Sequence, residues 1–336
     1  MENFETFTEN IKNRILDFMP EEYQAASVEI KHVFKNNDEK RTGISIRKEG
    51  WMTAPVLYLE TYYQMLREGN AETEVLGRLA KEYSENDHVV PQNTGELIPD
   101  FETAKERLWI KLAGKESNQK RLEGCIYKDV EGTDLVATFQ LRVKLPGLNE
   151  GNISVDKQIL EKWGCSVDSL YETVLANMAS QMPAQISDLS SSLTGEKEIW
   201  KPEEVSCQAG RIYVLQNAGE RYGASTLLYP GVLQTLAENS GADLFILPSS
   251  IHEVLVMKVN GAEAKELQRI VMEVNRAELK SEDILSNQVY CYNMETQSLS
   301  CATTKEETQE LLEEFSVWGM SEEPIEQEQF EQEMER

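Results

Sequence analysis

The residues best suited to chemistry lie together at His252 and Glu253, directly after Ser249 and Ser250. An imidazole beside a carboxylate resembles a general base with its orienting group, and either serine hydroxyl could act as the nucleophile. One hypothesis is therefore a hydrolase that uses the histidine with one of the two serines or the glutamate. It predicts a concave site that gathers acids from elsewhere in the chain, such as Asp134 or Glu220.

The same residues also fit a simple turn. Neighbouring residues of a strand point to opposite faces, so His252 and Glu253 would meet only across a bulge. Pro248 followed by Ser249 and Ser250 is typical of a turn whose hydroxyls bond back to its own amides. The sequence leaves both interpretations open and favours the turn.

The segment from Tyr222 to Val256 must position these residues. Its pattern predicts a strand over Ala224 to Leu228, which ends before Pro230, and then a helix that ends near Gly241. Two further strands are predicted on either side of the Pro-Ser-Ser turn. His252 is then expected at the mouth of a hairpin.

Metal and cofactor signatures are absent from the sequence. It contains no GxxxxGK[ST], GxGxxG or GxSxG motif, no CxxC pair and no DxDxDG loop, and it has three histidines and five cysteines. We therefore predict no cofactor and no metal site, although carboxylates alone could hold magnesium or calcium in so acidic a chain.

Charge is the extreme feature of the composition. With 59 acidic and 33 basic residues, the formal net charge is −26, which disfavours direct binding to nucleic acids and to anionic membranes. The leading functional hypothesis is a non-enzymatic interaction or accessory protein that binds a basic protein partner. A narrower form of this hypothesis is a nucleic-acid mimic that occupies the basic cleft of a DNA-binding protein. Without a long apolar segment or a signal-peptide pattern, we expect a cytoplasmic protein.

The pattern divides the chain into four parts. We expect an N-terminal α+β domain over residues 1–186, a linker or insertion over 187–206, a C-terminal α+β domain over 207–318 and an acidic disordered tail over 319–336. In the first part, the spacing predicts these elements: an opening helix before Pro20, a hairpin of Val28 to Phe34 with Ile44 to Lys48, helices over 55–69 and 72–83, a helical pattern over 101–112, a strand over 135–145 and a helix over 167–182.

The C-terminal part predicts three strand-strand-helix units. The paired strands are Arg211 to Leu215 with Ala224 to Leu228, Asp243 to Leu247 with Glu253 to Val259, and Val289 to Asn293 with Leu299 to Ala302. The expected fold class is α+β in two lobes, with mostly antiparallel sheets and helices packed on one face.

Several short motifs resemble a family of uncharacterised bacterial proteins catalogued as domain of unknown function 5688. They are Ala54-Pro55-Val56-Leu57-Tyr58-Leu59 with Tyr62, Asn118 with Leu122, Asp134-Leu135, Tyr222-Gly223-Ala224-Ser225, Tyr229-Pro230 and Leu247-Pro248-Ser249-Ser250-Ile251-His252-Glu253. At Cys125-Ile126-Tyr127 the chain lacks a proline-histidine pair that is common in the family. The resemblance implies a two-part α+β cytoplasmic protein, often associated with mobile elements, and no assigned activity.

Overall fold

The structure, a computed structural model, describes residues 3–51, 54–87, 98–145, 148–193, 198–259 and 261–319. Within these ranges all strand pairs are antiparallel, and they form sheets of three, four and six strands. The α+β class with antiparallel sheets is thereby confirmed. Beyond Gly319, the expected disordered tail lies outside the described residues.

The N-terminal part packs helices on the three-stranded sheet, whose order is β1-β2-β3. Asn3 caps the first helix by accepting a hydrogen bond from the Thr6 amide at 2.8 Å. The opening helix, the first hairpin and the helix from residue 72 are confirmed, whereas the helix expected over 55–69 is shorter and follows a short strand. The elements are α1 Phe4–Arg14, β1 Ser27–Phe34, β2 Lys40–Arg47, β3 Leu57–Tyr58, α2 Glu60–Arg67 and α3 Glu72–Asn86.

The four-stranded sheet is centred on its longest strand, which coincides with the predicted strand over 135–145. The helix expected over 101–112 was wrong beyond Ala104, because a strand begins at Leu108. Both faces of that strand are buried. Apolar residues therefore occupy most of its positions without the alternation of a half-buried strand, and their spacing also fits a helix. The elements are α4 Phe101–Ala104, β4 Leu108–Gly114, α5 Gln119–Leu122, β5 Tyr127–Asp129, β6 Leu135–Leu145, β7 Leu148–Ser154, α6 Lys157–Trp163 and α7 Val167–Gln181.

The six-stranded sheet has the order β13-β12-β10-β11-β9-β8. Two of the predicted strand-strand-helix units are confirmed, namely β10 and β11 followed by α10, and β12 and β13 followed by α11. The elements are β8 Ala184–Asp188, α8 Leu189–Leu193, β9 Ile212–Asn217, α9 Val232–Ser240, β10 Leu244–Leu247, β11 Val254–Lys258, α10 Ala264–Glu278, β12 Tyr290–Asn293, β13 Ser298–Cys301 and α11 Lys305–Gly319.

The first of the three units lacks its second strand. The run Ala224 to Leu228, expected as a strand, belongs to a 3₁₀ helix over Gly223–Leu228. β9 already pairs with β8 on one side and β11 on the other, so no free edge remains for another strand. The chain therefore turns at Tyr222, whose φ is 53°, and packs the run as a buried turn.

Helices cover both faces of this sheet, which differs from the one-face arrangement expected from the sequence. Leu236 of α9 shares a core with Leu244 and Ile246, whereas Val271 of α10 shares another with Phe245. Consecutive residues of β10 point to opposite faces, so the two helices lie on opposite sides. All four residues of β10 are buried, so its sequence has no polar face that would distinguish a sheet covered on one side from a sheet covered on both.

Two main apolar cores organise the described chain. The smaller extends from Phe7 to Tyr83, and the larger collects residues from Ala104 to Tyr292. The segment 187–206 does not separate these cores, because β8 pairs with β9 across it. We propose that the domain division follows the cores, between Tyr83 and Ala104.

The tip of the β1–β2 hairpin connects the two parts. Asn37 and Asp38 adopt left-handed φ angles of 59° and 51°. The Asn37 side-chain amide donates to the carbonyl of Ser281 at 2.6 Å, and the Asp38 carboxylate accepts from the amides of Lys120 and Arg121, each at 2.8 Å. The Asn37 bond ties the hairpin to the short turn that follows α10, and the Asp38 bonds tie it to α5.

Candidate functional site

The turn between β10 and β11 holds all four residues of the predicted site. The backbone amide of His252 donates to Ser250 Oγ at 3.0 Å, and the amide of Ser250 donates to the carbonyl of Glu253 at 3.2 Å. Ser250 is 7% exposed. This hydroxyl therefore bonds back to the turn, as the turn interpretation expects.

The imidazole of His252 has two partners outside the turn. Its Nδ1 accepts from the backbone amide of Tyr222 at 3.4 Å, and its ring stacks on the Tyr222 ring with centroids 6.0 Å apart and an interplanar angle of 12°. Nε2 lies 3.8 Å from Asp283 Oδ1. With Nδ1 as the acceptor, the neutral ring carries its proton on Nε2, on the side of Asp283.

Burial sets the protonation of this ring. It lowers the pKa of His252, and the Lys111 charge lowers it further, while the carboxylates of Asp283 and Glu253 oppose the shift. The neutral imidazole is therefore the favoured form near pH 7.

The predicted residues share a turn but not a catalytic constellation. No hydrogen bond within the described ranges joins the imidazole to either serine hydroxyl or to the Glu253 side chain. Asp134, one of the acids considered from the sequence, instead accepts from the hydroxyls of Tyr290 at 2.6 Å and Ser286 at 2.8 Å. Sequence reasoning missed the actual partners of His252, which are Tyr222 and Asp283.

The Tyr222 ring continues into a row of aromatic and cationic groups. It meets the indole of Trp109 edge-on at 6.1 Å, and the Lys111 amine lies 5.4 Å from its centroid. Trp109 in turn packs against two guanidinium groups, with Arg142 at 4.8 Å and Arg221 at 5.9 Å from the ring centroid. Strand alternation places Trp109 and Lys111 on the same face of β4.

A constrained loop after β9 places Arg221 and Tyr222. Residues Glu220 and Tyr222 both adopt left-handed φ angles, of 50° and 53°. The Asn217 side chain fixes the loop, because its amide donates to the Arg221 carbonyl and its oxygen accepts from the Gly219 amide, each at 3.0 Å. Non-glycine residues held in this region are a form of strain that often accompanies function.

Trp109, the two arginines and Glu220 border a cleft of about 610 Å³. Trp109 is 5% exposed and forms the floor, while Arg142 and Arg221 line the cleft above it together with the carboxylate of Glu220. The cleft thus presents two guanidinium groups in a chain whose net charge is −26. A guanidinium that stacks on an aromatic ring still presents N–H donors at its edge.

A family model described as a family of unknown function, DUF5688, matches residues 4–294. The chain belongs to this family. Searches of curated proteins and of solved structures each found no significant match. The resemblance inferred from the short motifs is thus confirmed, and every residue of the cleft and of the His252 turn lies within the matched segment.

Two of the motifs that carry the DUF5688 resemblance meet at this site. A Cβ atom added to Gly223, in the first motif, would lie 2.2 Å from the carbonyl oxygen of His252, in the second. Only glycine permits this approach, since real Cβ contacts are not so short. The motif residues therefore have a packing role between the 3₁₀ turn and the β10–β11 hairpin.

The described residues of this DUF5688 chain contain no group of three or more His, Cys, Asp or Glu side chains arranged to hold a metal ion. Across the same residues, none of the helices combines the length and the apolar composition that crossing a membrane requires.

Proposed function

We propose that this protein binds a small anionic ligand, a phosphate ester or a carboxylate, in the cleft beside Trp109. The observation that carries the proposal is the pair of guanidinium groups, Arg142 and Arg221, held against one indole ring. Arginine recognises phosphate and carboxylate oxygens through paired N–H donors, and its stacking on an aromatic ring orients those donors.

The site has further properties of a ligand-binding cleft. Its volume of about 610 Å³ suits a small molecule. Lys111 adds a third positive charge on the same strand face, beside Tyr222. The acidic charge of the whole chain opposes an approaching anion at long range, but the Debye length of about 8 Å in physiological salt confines that effect.

A hydrolase that uses His252 has less support. A nucleophilic serine would need the imidazole within about 3 Å of its hydroxyl, whereas Ser250 Oγ accepts from a backbone amide and the His252 Nδ1 accepts from Tyr222. Binding to a basic protein partner and a cytoplasmic location both stay predictions that rest on composition.

Calorimetric titration of the full chain tests the proposal. We expect phenyl phosphate to bind and benzyl alcohol, an uncharged molecule of similar size, not to bind. Arg221→Ala removes one charge-assisted contact of about 1.5–3 kcal/mol and should weaken phenyl phosphate about 10- to 100-fold. Arg276→Ala is the matched control, because Arg276 is an exposed arginine in the last turn of α10.

Two results would overturn the proposal. One is the absence of heat from phenyl phosphate with the wild-type chain. The other is equal affinity of the Arg221→Ala and Arg276→Ala variants, which would place the bound anion outside the cleft.

A further inference from the structure

Lys111 is the basic residue of the site whose surroundings differ most from those of an ordinary lysine. It lies in β4, two residues after Trp109 and on the same strand face, so the two Cα atoms are about 7 Å apart. Its amine lies over the Tyr222 ring, 5.4 Å from the centroid. The Tyr222 ring in turn meets Trp109 edge-on, so one aromatic ring separates the amine from the indole that lines the cleft.

The Lys111 amine has no oxygen partner among the described residues, either as an ion pair or as a hydrogen bond. Other partly buried lysines in the chain do have one. Lys48 Nζ lies 2.6 Å from the Asp87 carboxylate, and Lys258 Nζ donates to the Ser240 carbonyl at 2.6 Å. Burying an ammonium without such a partner is costly, which favours the neutral amine.

The electrostatic surroundings act in the same direction. Burial lowers the pKa of Lys111 to about 8, with a further contribution from the Arg121 charge and a smaller one from Lys35. The carboxylates of Asp283 and Glu282 oppose this shift without cancelling it. At pH 7, such an amine is about 200-fold more often neutral than a lysine with the usual pKa of about 10.4.

We propose that Lys111 forms an imine with a carbonyl compound that also carries a phosphate or carboxylate group. The proposal rests on the proposed function, because the oxyanion at Arg142 and Arg221 is what holds the carbonyl group near the amine. The Tyr222 ring links the two groups, with its centroid 5.4 Å from the Lys111 amine and 6.1 Å from the Trp109 ring centroid. The amine is therefore no more than about 12 Å from the indole, which an extended small metabolite can span. A neutral, partly desolvated lysine is the usual form of an imine-forming nucleophile.

The reaction needs no further reagent. The amine nitrogen attacks the carbonyl carbon, a C–N bond forms and the resulting carbinolamine loses its hydroxyl group. The two hydrogens of the neutral amine leave with the carbonyl oxygen as water, and a C=N double bond remains. The condensation requires no external oxidant or reductant.

Reductive trapping tests the proposal on the full chain. Pyridoxal 5′-phosphate serves as the phosphorylated aldehyde, pyridoxal as its phosphate-free counterpart, and sodium borohydride converts any imine to a stable secondary amine. Peptide mass spectrometry then reports the fraction modified at each lysine. We expect Lys111 to be labelled at least about tenfold faster at pH 7 than Lys81, whose side chain is 76% exposed.

The pH profile supplies a readout that needs no variant. The labelling rate at Lys111 should level off above about pH 9, one unit above its pKa of about 8, where the amine is mostly neutral, whereas the rate at Lys81 should keep rising toward pH 10. Lys111→Arg keeps the positive charge and should remove this label, while Lys81→Arg should leave it unchanged. Circular dichroism establishes that both variants are folded.

Labelling of Lys111 no faster than that of Lys81, or a parallel rise of both rates to pH 10, would overturn the imine proposal whether or not phenyl phosphate binds the cleft. Arg221→Ala should slow labelling by pyridoxal 5′-phosphate about tenfold and leave labelling by pyridoxal unchanged. Equal rates with both aldehydes, unaffected by Arg221→Ala, would overturn the anionic ligand class and with it the proposed function.

Discussion

Gly223 is the residue at which the 3₁₀ turn and the β10–β11 hairpin come closest. A Cβ atom at this position would lie 2.2 Å from the His252 carbonyl oxygen and 3.0 Å from the Asn217 amide nitrogen. Both neighbours are backbone atoms and cannot rotate away. The geometry of the Tyr222–His252 stack therefore depends on the absence of one side chain.

We expect Gly223→Ala to lower the free energy of unfolding by about 1–3 kcal/mol, the usual cost of overpacking. Gly77→Ala is the control, because Gly77 lies within α3 and an added Cβ would meet nothing within 4 Å. That variant should stabilise the protein by about 0.5–1 kcal/mol, since alanine favours a helix over glycine. Urea unfolding measures both, and a Gly223→Ala variant as stable as Gly77→Ala would contradict the close approach.

At the residue scale, the sequence predicted part of the site. The turn and the position of His252 follow from local residues, whereas Asp283, Tyr222 and Lys111 come from distant segments that only strand pairing brings together. One signal was present: Lys111 interrupts an otherwise apolar strand, LWIKLAG. A single lysine in a strand that is buried on both faces indicates either a snorkelling side chain or a functional amine.

Among the elements, the hairpin tip and the 3₁₀ turn over Ser281–Asp283 form a chain of contacts to His252. Asn37 donates to the Ser281 carbonyl at 2.6 Å, and the Ile251 amide donates to the Asp283 carbonyl at 2.9 Å. The turn that carries the Asp283 side chain is thus held from both lobes.

Replacing Asn37 with glycine should loosen this turn. Glycine tolerates the φ of 59°, so Asn37→Gly removes the side-chain bonds without straining the backbone. We expect a loss of about 1–3 kcal/mol in the free energy of unfolding. The pKa of His252 should fall further, because the Asp283 carboxylate that raises it becomes mobile.

Nuclear magnetic resonance titration of the histidines and urea unfolding measure the two effects. Gln297→Gly is the matched control, since Gln297 is exposed and has a φ of 51°. It should change the free energy of unfolding by less than about 0.5 kcal/mol. An unchanged His252 titration in Asn37→Gly would show that the tip does not position Asp283.

The sequence predicted elements well where one periodicity dominated, as in β6 and α7. It predicted them poorly where an apolar run was short and fully buried, because burial on all sides removes the polar positions that distinguish a strand from a helix. The run Ala224 to Leu228 is such a case. Its conformation depends on β8, which occupies the edge of β9 and lies more than thirty residues earlier in the chain.

For the whole molecule, the existence of two cores has consequences for stability. Leu79 lies in the smaller core and Leu236 in the larger, and both are 0% exposed. Polar hydrogen bonds at the hairpin tip join the two parts, and such contacts couple domains more weakly than a shared apolar core does.

We expect Leu79→Ala and Leu236→Ala each to destabilise one core by about 2–5 kcal/mol. Hydrogen exchange followed by mass spectrometry should show faster exchange in β2 and α3 for the first variant, and in α9 and β10 for the second. If either variant accelerates exchange equally in both parts, the cores unfold as a single unit and the proposed domain division is wrong.

The order of the two cores along the chain also affects folding during synthesis. All residues of the smaller core have been synthesised by Tyr83, whereas the larger core is incomplete until Tyr292. At about 5–20 residues per second, translation separates these two events by about 10–40 s. In the later part of that interval β8 and β9 have been synthesised and β12 has not, so the nascent chain carries a complete N-terminal lobe beside an incomplete sheet.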